Sequence, residues 1–229
     1  MLALVQARMS SRRLPGKVLR PLAGRPMLAW LIERLARARK VDTLTVATSH
    51  EADDDPINVF CRRSGVRCFR GPLDDVAGRL VAAAESVGAD AFVRICADSP
   101  LMSPDVVDDL VALYGAVDVD LATNVQTRTF PKGLSVEVVR VAALRRARGM
   151  MEAGEAEHVT PVFYRRPGDF RVAGLTSGGD WGAVQMSVDT AEDLALAERM
   201  LVSSSGLANV HSVRELVALR ERCLAELAA

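Results

Sequence analysis

The chain has 229 residues, 49% of them hydrophobic and 25% charged, and its 29 Lys+Arg are balanced by 29 Asp+Glu. That balance excludes a protein that coats nucleic acid, which needs a basic excess over the whole domain, and no apolar run reaches the length of a signal-peptide core or a membrane span. The expectation is a cytoplasmic globular protein, one domain over residues 1–229, with four cysteines that lack C-x-x-C spacing and read as buried free thiols rather than zinc ligands.

Residues 2–7 (Leu-Ala-Leu-Val-Gln-Ala) read as an apolar strand, and a helical pattern follows over 26–39. Strands at 43–48, 66–69 and 91–96 then alternate with helices at 54–64, 75–87 and 104–114. This alternation predicts an α/β fold with a mostly parallel central sheet covered on both faces. Beyond residue 114 the pattern loosens into strands at 121–124, 134–139 and 170–174 and helices at 141–152 and 155–164. About residues 124–175 are expected to form a lobe that continues the sheet and supplies a second binding surface. Ser203-Ser-Ser-Gly206 resembles a linker, and residues 212–227 read as a terminal helix.

Ligands of open α/β sheets bind at the carboxyl ends of the strands. Attention therefore falls on the loop over 8–17 and on the one starting at Ala97-Asp98. Arg8, Arg12, Arg13, Lys17, Arg20 and Arg25 all precede the first acidic residue, Glu33. Four of these cations in one loop, with Gly16 allowing a tight turn, suit a polyphosphate, although a solvated basic turn would look the same. The loop matches neither G-x-x-x-x-G-K-[ST] nor G-x-G-x-x-G. Asp98, at a strand end, is as well placed to hold Mg²⁺ as to make an Asp-x-Pro turn. Asp189-Thr-Ala-Glu192 reads equally as a helix start with Asp189 as N-cap. Asp118-Val-Asp120 could be the metal pair of a glycosyltransferase, but its alternation with Val117, Val119 and Leu121 favours a polar strand face.

The stretch Gln6-Ala-Arg-Met-Ser-Ser-Arg-Arg-Leu-Pro-Gly-Lys17 closely resembles the opening of the spore-coat polysaccharide cytidylyltransferase-like family, relatives of the CMP-Kdo and CMP-sialic acid synthetases. The likeness continues through Val46-Ala-Thr-Ser49, Phe69-Arg-Gly71, Asp74-Asp-Val76, Val93-Arg-Ile-Cys-Ala-Asp-Ser-Pro100, Arg128-Thr-Phe-Pro-Lys-Gly133, Glu157-His-Val-Thr-Pro161 and Val188-Asp-Thr-Ala-Glu-Asp193, over roughly residues 1–200. It implies the Rossmann-like three-layer fold of nucleotide-diphospho-sugar transferases. It also implies a CTP-dependent nucleotidyltransferase that uses Mg²⁺ and releases pyrophosphate in polysaccharide or glycoconjugate biosynthesis. Carried over by position, the catalytic set would be Arg8, Lys17, Asp98 and Asp189, the two aspartates holding Mg²⁺. Gln6, Ala7, Arg8, Arg13, Lys17, Arg70 and Arg94 would bind the nucleotide, the backbone at Gln6 and Ala7 facing the base. Arg128, Lys132, Glu137 and His158 would bind the acceptor, a sugar acid, sugar phosphate or phosphonate. Neither nucleic acid nor membrane is implied as a partner, and a homodimer is compatible with the reading. Two departures stand out: Ser10 replaces a common glycine, and Cys96 stands where the CMP-Kdo branch has a glutamine near cytosine. Base selection would then fall to backbone groups near Ala7 and to Arg70. The alternatives are a glycosyltransferase using a finished nucleotide-sugar and a non-catalytic nucleotide-binding protein.

Overall fold

A strand that is apolar on both faces needs cover on both sides, and β1 (Leu2–Gln6) buries Leu2, Ala3, Leu4 and Val5. It accordingly lies inside the sheet with parallel neighbours on either side. The computed structural model describes residues 1–208, 210 and 212–228. After β1 come a two-residue pair, β2 (Pro21–Leu22) and β3 (Arg25–Pro26), then α1 (Met27–Ala36), β4 (Thr43–Ser49), α2 (Asp55–Arg63), β5 (Arg67–Gly71), α3 (Val76–Glu85), β6 (Ala91–Cys96) and α4 (Pro104–Ala116). The second half runs β7 (Leu121–Thr123), β8 (Glu137–Arg140), α5 (Val141–Arg148), α6 (Glu155–His158), α7 (Pro161–Arg165), β9 (Val172–Gly174), α8 (Ala191–Ser203) and α9 (Val213–Ala228).

The strand order is β5-β4-β1-β6-β8-β7-β9. β5, β4, β1 and β6 are parallel, and β8 runs antiparallel to both β6 and β7. One apolar layer packs α1, α4, α8 and α9 on the sheet through Leu28, Leu31, Leu110, Leu201 and Leu216. The other packs α3, α5 and α7 through Leu80, Leu144 and Phe163. The result is the three-layer, mostly parallel architecture expected from the alternation. No described helix is long and apolar enough to cross a membrane.

The helix expected at 155–164 is broken into α6 and α7. The break is at Val159, whose left-handed φ of 73° ends α6, and Pro161, which has no N–H to donate, sits at the start of α7. The stretch called linker-like is partly helical, because α8 continues to Ser203. Gly206, at φ 73°, then closes the helix by donating its N–H to the Leu201 carbonyl at 2.7 Å.

Candidate active site

The loop after β1 folds back tightly. Gly16 takes a left-handed conformation (φ 69°), and its N–H donates to the Met9 carbonyl at 2.9 Å. That turn drives Lys17 inward, leaving its side chain only 11% exposed. All three donors of its ammonium are used: Nζ donates to Asp98 Oδ2 at 3.1 Å, Asp189 Oδ1 at 3.0 Å and the Val188 carbonyl at 2.7 Å. Arg13 reaches the same Asp189 Oδ1 at 3.0 Å.

Two backbone contacts bring the distant Asp189 to this point. Val188 N–H donates to the Asp98 carbonyl at 2.8 Å, and residues 184–186 pair with Lys132 through bonds of 2.9 and 2.8 Å. The approach is so close that a Cβ at Gly133 (φ 96°) would stand 2.4 Å from the Ser187 nitrogen. The Phe-Pro-Lys-Gly segment thus braces Asp189 with its backbone.

Around this triad opens a polar cavity of about 800 Å³. Its floor is the carboxyl edge of β1 and β6, where Gln6 and Cys96 are register partners, and its walls are the basic loop, the start of α3 and α6. Arg8 crosses the cavity to Glu157 of α6, Nη2 to Oε1 at 2.5 Å. Burial pushes the Cys96 thiol up to about 11, so it is a neutral thiol at the floor.

Asp98 Oδ2, Asp189 Oδ1 and the Val188 carbonyl converge on one cationic centre, a set of hard oxygen donors of the kind Mg²⁺ accepts alongside phosphate oxygens and water. The residues present therefore fit the metal that the fold family implies. Among the described residues no larger cluster of His, Cys, Asp or Glu exists that would compete for it. Burial disfavours the Asp189 charge, but Lys17 and Arg13 outweigh it and hold the carboxyl below the usual carboxylate value. Asp189 is not a helix cap. Thr190 is the N-cap of α8, in a reciprocal capping box with Asp193.

Of the residues singled out from sequence, Gln6, Ala7, Arg8, Arg13, Lys17, Arg94, Asp98, His158 and Asp189 line this cavity, and Arg70, Arg128, Lys132 and Glu137 do not. Arg70 is turned toward the β4–α2 loop, donating to the Ser49 and Glu51 carbonyls and pairing with Asp55. Arg128 is exposed and reaches Ser135, and Lys132 acts through its backbone with its side chain in solvent. Glu137 is buried beneath the floor, accepting from Arg94 Nη1 at 2.5 Å and from the Tyr164 hydroxyl at 2.7 Å. The Asp-x-Asp pair is no metal site: Asp118 pairs with Arg140 and Arg171, and Asp120 accepts from the Arg171 backbone. Sequence reasoning did not nominate Glu157 or Arg79, both of which line the cavity. The long-range pairing of Glu157 with Arg8 and the burial of Arg79 have no local sequence signal.

Comparison with known proteins agrees with this geometry. A family model described as cytidylyltransferase matches residues 2–208. The spore coat polysaccharide biosynthesis protein SpsF of Bacillus subtilis is 31% identical over 229 residues, covering 96% of this chain and 94% of its own. A 3-deoxy-manno-octulosonate cytidylyltransferase of Geobacter sulfurreducens is 38% identical over 143 residues, 61% of this chain and 56% of its own. The solved structure of a cytidylyltransferase from Leptospira borgpetersenii serovar Hardjo-bovis aligns with a TM-score of 0.90 at 27% identity, covering 98% of this chain and 95% of that one. The convergence of basic loop, paired aspartates and three-layer sheet thus has a family, and this chain belongs to the cytidylyltransferases, CTP-dependent nucleotidyltransferases.

Proposed function

We propose that the enzyme joins CMP from CTP to a sugar acid or related acceptor, releasing pyrophosphate, in polysaccharide or glycoconjugate biosynthesis. The observation that carries this reading is the Lys17 ammonium held between two aspartates from distant parts of the chain, inside a cavity walled by Arg8, Arg12 and Arg13. Asp98 and Asp189 would hold Mg²⁺, which supplies charge neutralisation at the α-phosphate when bound. Lys17 then turns from the carboxylates to the phosphates, where a positioned cation offsets the charge that builds as pyrophosphate leaves. Arg8 and Arg13 bind the same polyphosphate, Arg8 exchanging Glu157 for it.

For the base, the Ala7 N–H is already committed to the Ala47 carbonyl at 3.1 Å, while the Ala7 carbonyl accepts no hydrogen bond from a described residue. A lone acceptor there suits the amino group of cytosine and opposes the O4 of uracil. For the acceptor, His158 lies exposed on the α6 wall, and the name of the Geobacter relative supports a sugar acid. The test is a pyrophosphate-release screen of the four NTPs against sugar acids, sugar phosphates and phosphonates. Release with CTP and an acid acceptor is the expected result. Sugar transfer from a nucleotide-sugar, or binding with no turnover across the panel, would overturn it.

A further inference from the structure

Arg79 of α3 is 2% exposed, yet it makes no ion pair with any described residue. Its Nη1 donates to the Pro72 carbonyl and, at 3.2 Å, to the Leu73 carbonyl. Its Nε is buried with no hydrogen-bond partner. Nη2 makes no hydrogen bond to a described residue, and the Arg79 side chain lines the cavity. The nearby carboxylates are engaged elsewhere. Asp54 accepts from Met9 N–H and from Ser49, and Asp75 from Gly78 N–H and Arg148. The β5–α3 connection is shaped to admit the side chain, since a Cβ at Gly71 would come within 2.8 Å of Arg79 Cγ.

A buried cation whose neighbouring carboxylates, Asp54 and Asp75, are bonded to other donors is only partly neutralised and expensive to maintain. Burial lowers its pKa from the ordinary arginine value; the nearby Asp54 and Asp75 oppose that shift and the like charge of Arg8 adds to it. Two cations facing one cavity, one of them unpaired, fit an anion between them. We infer that Arg79 is a further binding residue for the polyphosphate, meeting it from the α3 wall opposite the basic loop. The inference rests on the nucleotide reading above and adds a phosphate contact outside the loop motif.

The test uses the full chain and two variants, Arg79→Gln and Arg79→Lys, with inorganic tripolyphosphate, CTP and cytidine as probes by calorimetry, and the apo melting temperature beside them. Gln keeps a donor for the Pro72 and Leu73 carbonyls but removes the charge; Lys keeps the charge but loses the planar fork. Arg79→Gln should bind tripolyphosphate and CTP about 10- to 100-fold more weakly, the scale for a hydrogen bond to a charged group. It should bind cytidine unchanged and melt no lower than the wild type. Arg79→Lys should lie within a few-fold of the wild type for tripolyphosphate. Unchanged tripolyphosphate affinity in Arg79→Gln overturns the inference while CTP binding by the wild type keeps the nucleotide reading. Equal losses in both variants, or a parallel loss of cytidine affinity and melting temperature, reduce Arg79 to a pin for the Pro72–Leu73 loop. A wild type that binds neither tripolyphosphate nor CTP removes both readings.

Discussion

Two ion clusters, one beneath the floor of the cavity and one inside it, are built on opposite principles. Arg94 and Glu137 are register partners on β6 and β8, 12% and 4% exposed. Their remaining groups are also engaged: Arg94 Nε donates to Gln6 Oε1 at 2.8 Å, and Glu137 takes the Tyr164 hydroxyl, itself 2.9 Å from Thr123 Oγ1. Burial works against the Arg94 charge, and Glu137 outweighs it and raises the arginine pKa. By contrast, Asp98 and Asp189 are 29% and 22% exposed and share a single lysine. A saturated pair on paired strands fixes geometry, whereas partly solvated carboxylates held by a flexible ammonium can exchange partners. On the proposed function, the first cluster is a strut and the second is the working part.

The largest effect should come from breaking the strut. Arg94→Met leaves Glu137 buried without its counter-charge and should cost about 3–5 kcal/mol of unfolding free energy, read by urea denaturation. A loss below about 1 kcal/mol would erase the contrast between the clusters. Lys17→Met should do the reverse, lowering turnover by roughly 10²–10³-fold with about 1–2 kcal/mol of stability lost, because water reaches both aspartates. Pyrophosphate release and the same denaturation curve check both halves.

Much of this contrast was hidden in the sequence for a physical reason. The parallel half was legible because β1, β4 and β6 are apolar runs separated by amphipathic helices, and the rule for strand ends pointed straight at residues 8–17 and 97–98. The roles of Glu137 and Lys132 were not. A charge at 137 reads as a ligand until the antiparallel register sets it beneath Arg94, and Lys132 looks like a cation when what matters is backbone pairing with residues 184–186. Asp189 was ambiguous because Asp-Thr-Ala-Glu-Asp contains two overlapping cap patterns, and the structure chooses the one shifted by a residue, Thr190 with Asp193.

That shift gives a smaller prediction. Thr190→Ala should cost about 1 kcal/mol, as loss of an N-cap does, shown as a drop in melting temperature with the mutual geometry of Lys17 and Asp98 intact. No loss in Thr190→Ala, with a loss of about 1 kcal/mol in Asp189→Ala instead, would return the cap to Asp189. The smallest effect is in acid. The folded Asp189 carboxyl binds its proton less readily than the unfolded one. Its contribution is therefore complete above the unfolded value of about 3.9 and is lost as pH falls through the lower folded value. Asp189→Asn should show a shallower loss of melting temperature below about pH 4 than the wild type and no difference in slope above about pH 5.

The central claim is that Asp98 and Asp189 serve ligand chemistry and not the fold. Its most direct test pairs Mg²⁺-dependent pyrophosphate release with the apo melting temperature in Asp98→Asn and Asp189→Asn. Asparagine preserves size and hydrogen bonding but is a poor ligand for a hard dication. Turnover should collapse in both variants while both remain folded close to the wild-type melting temperature. Near-normal turnover in both, with melting temperatures that fall, would make the triad a second strut and contradict the account.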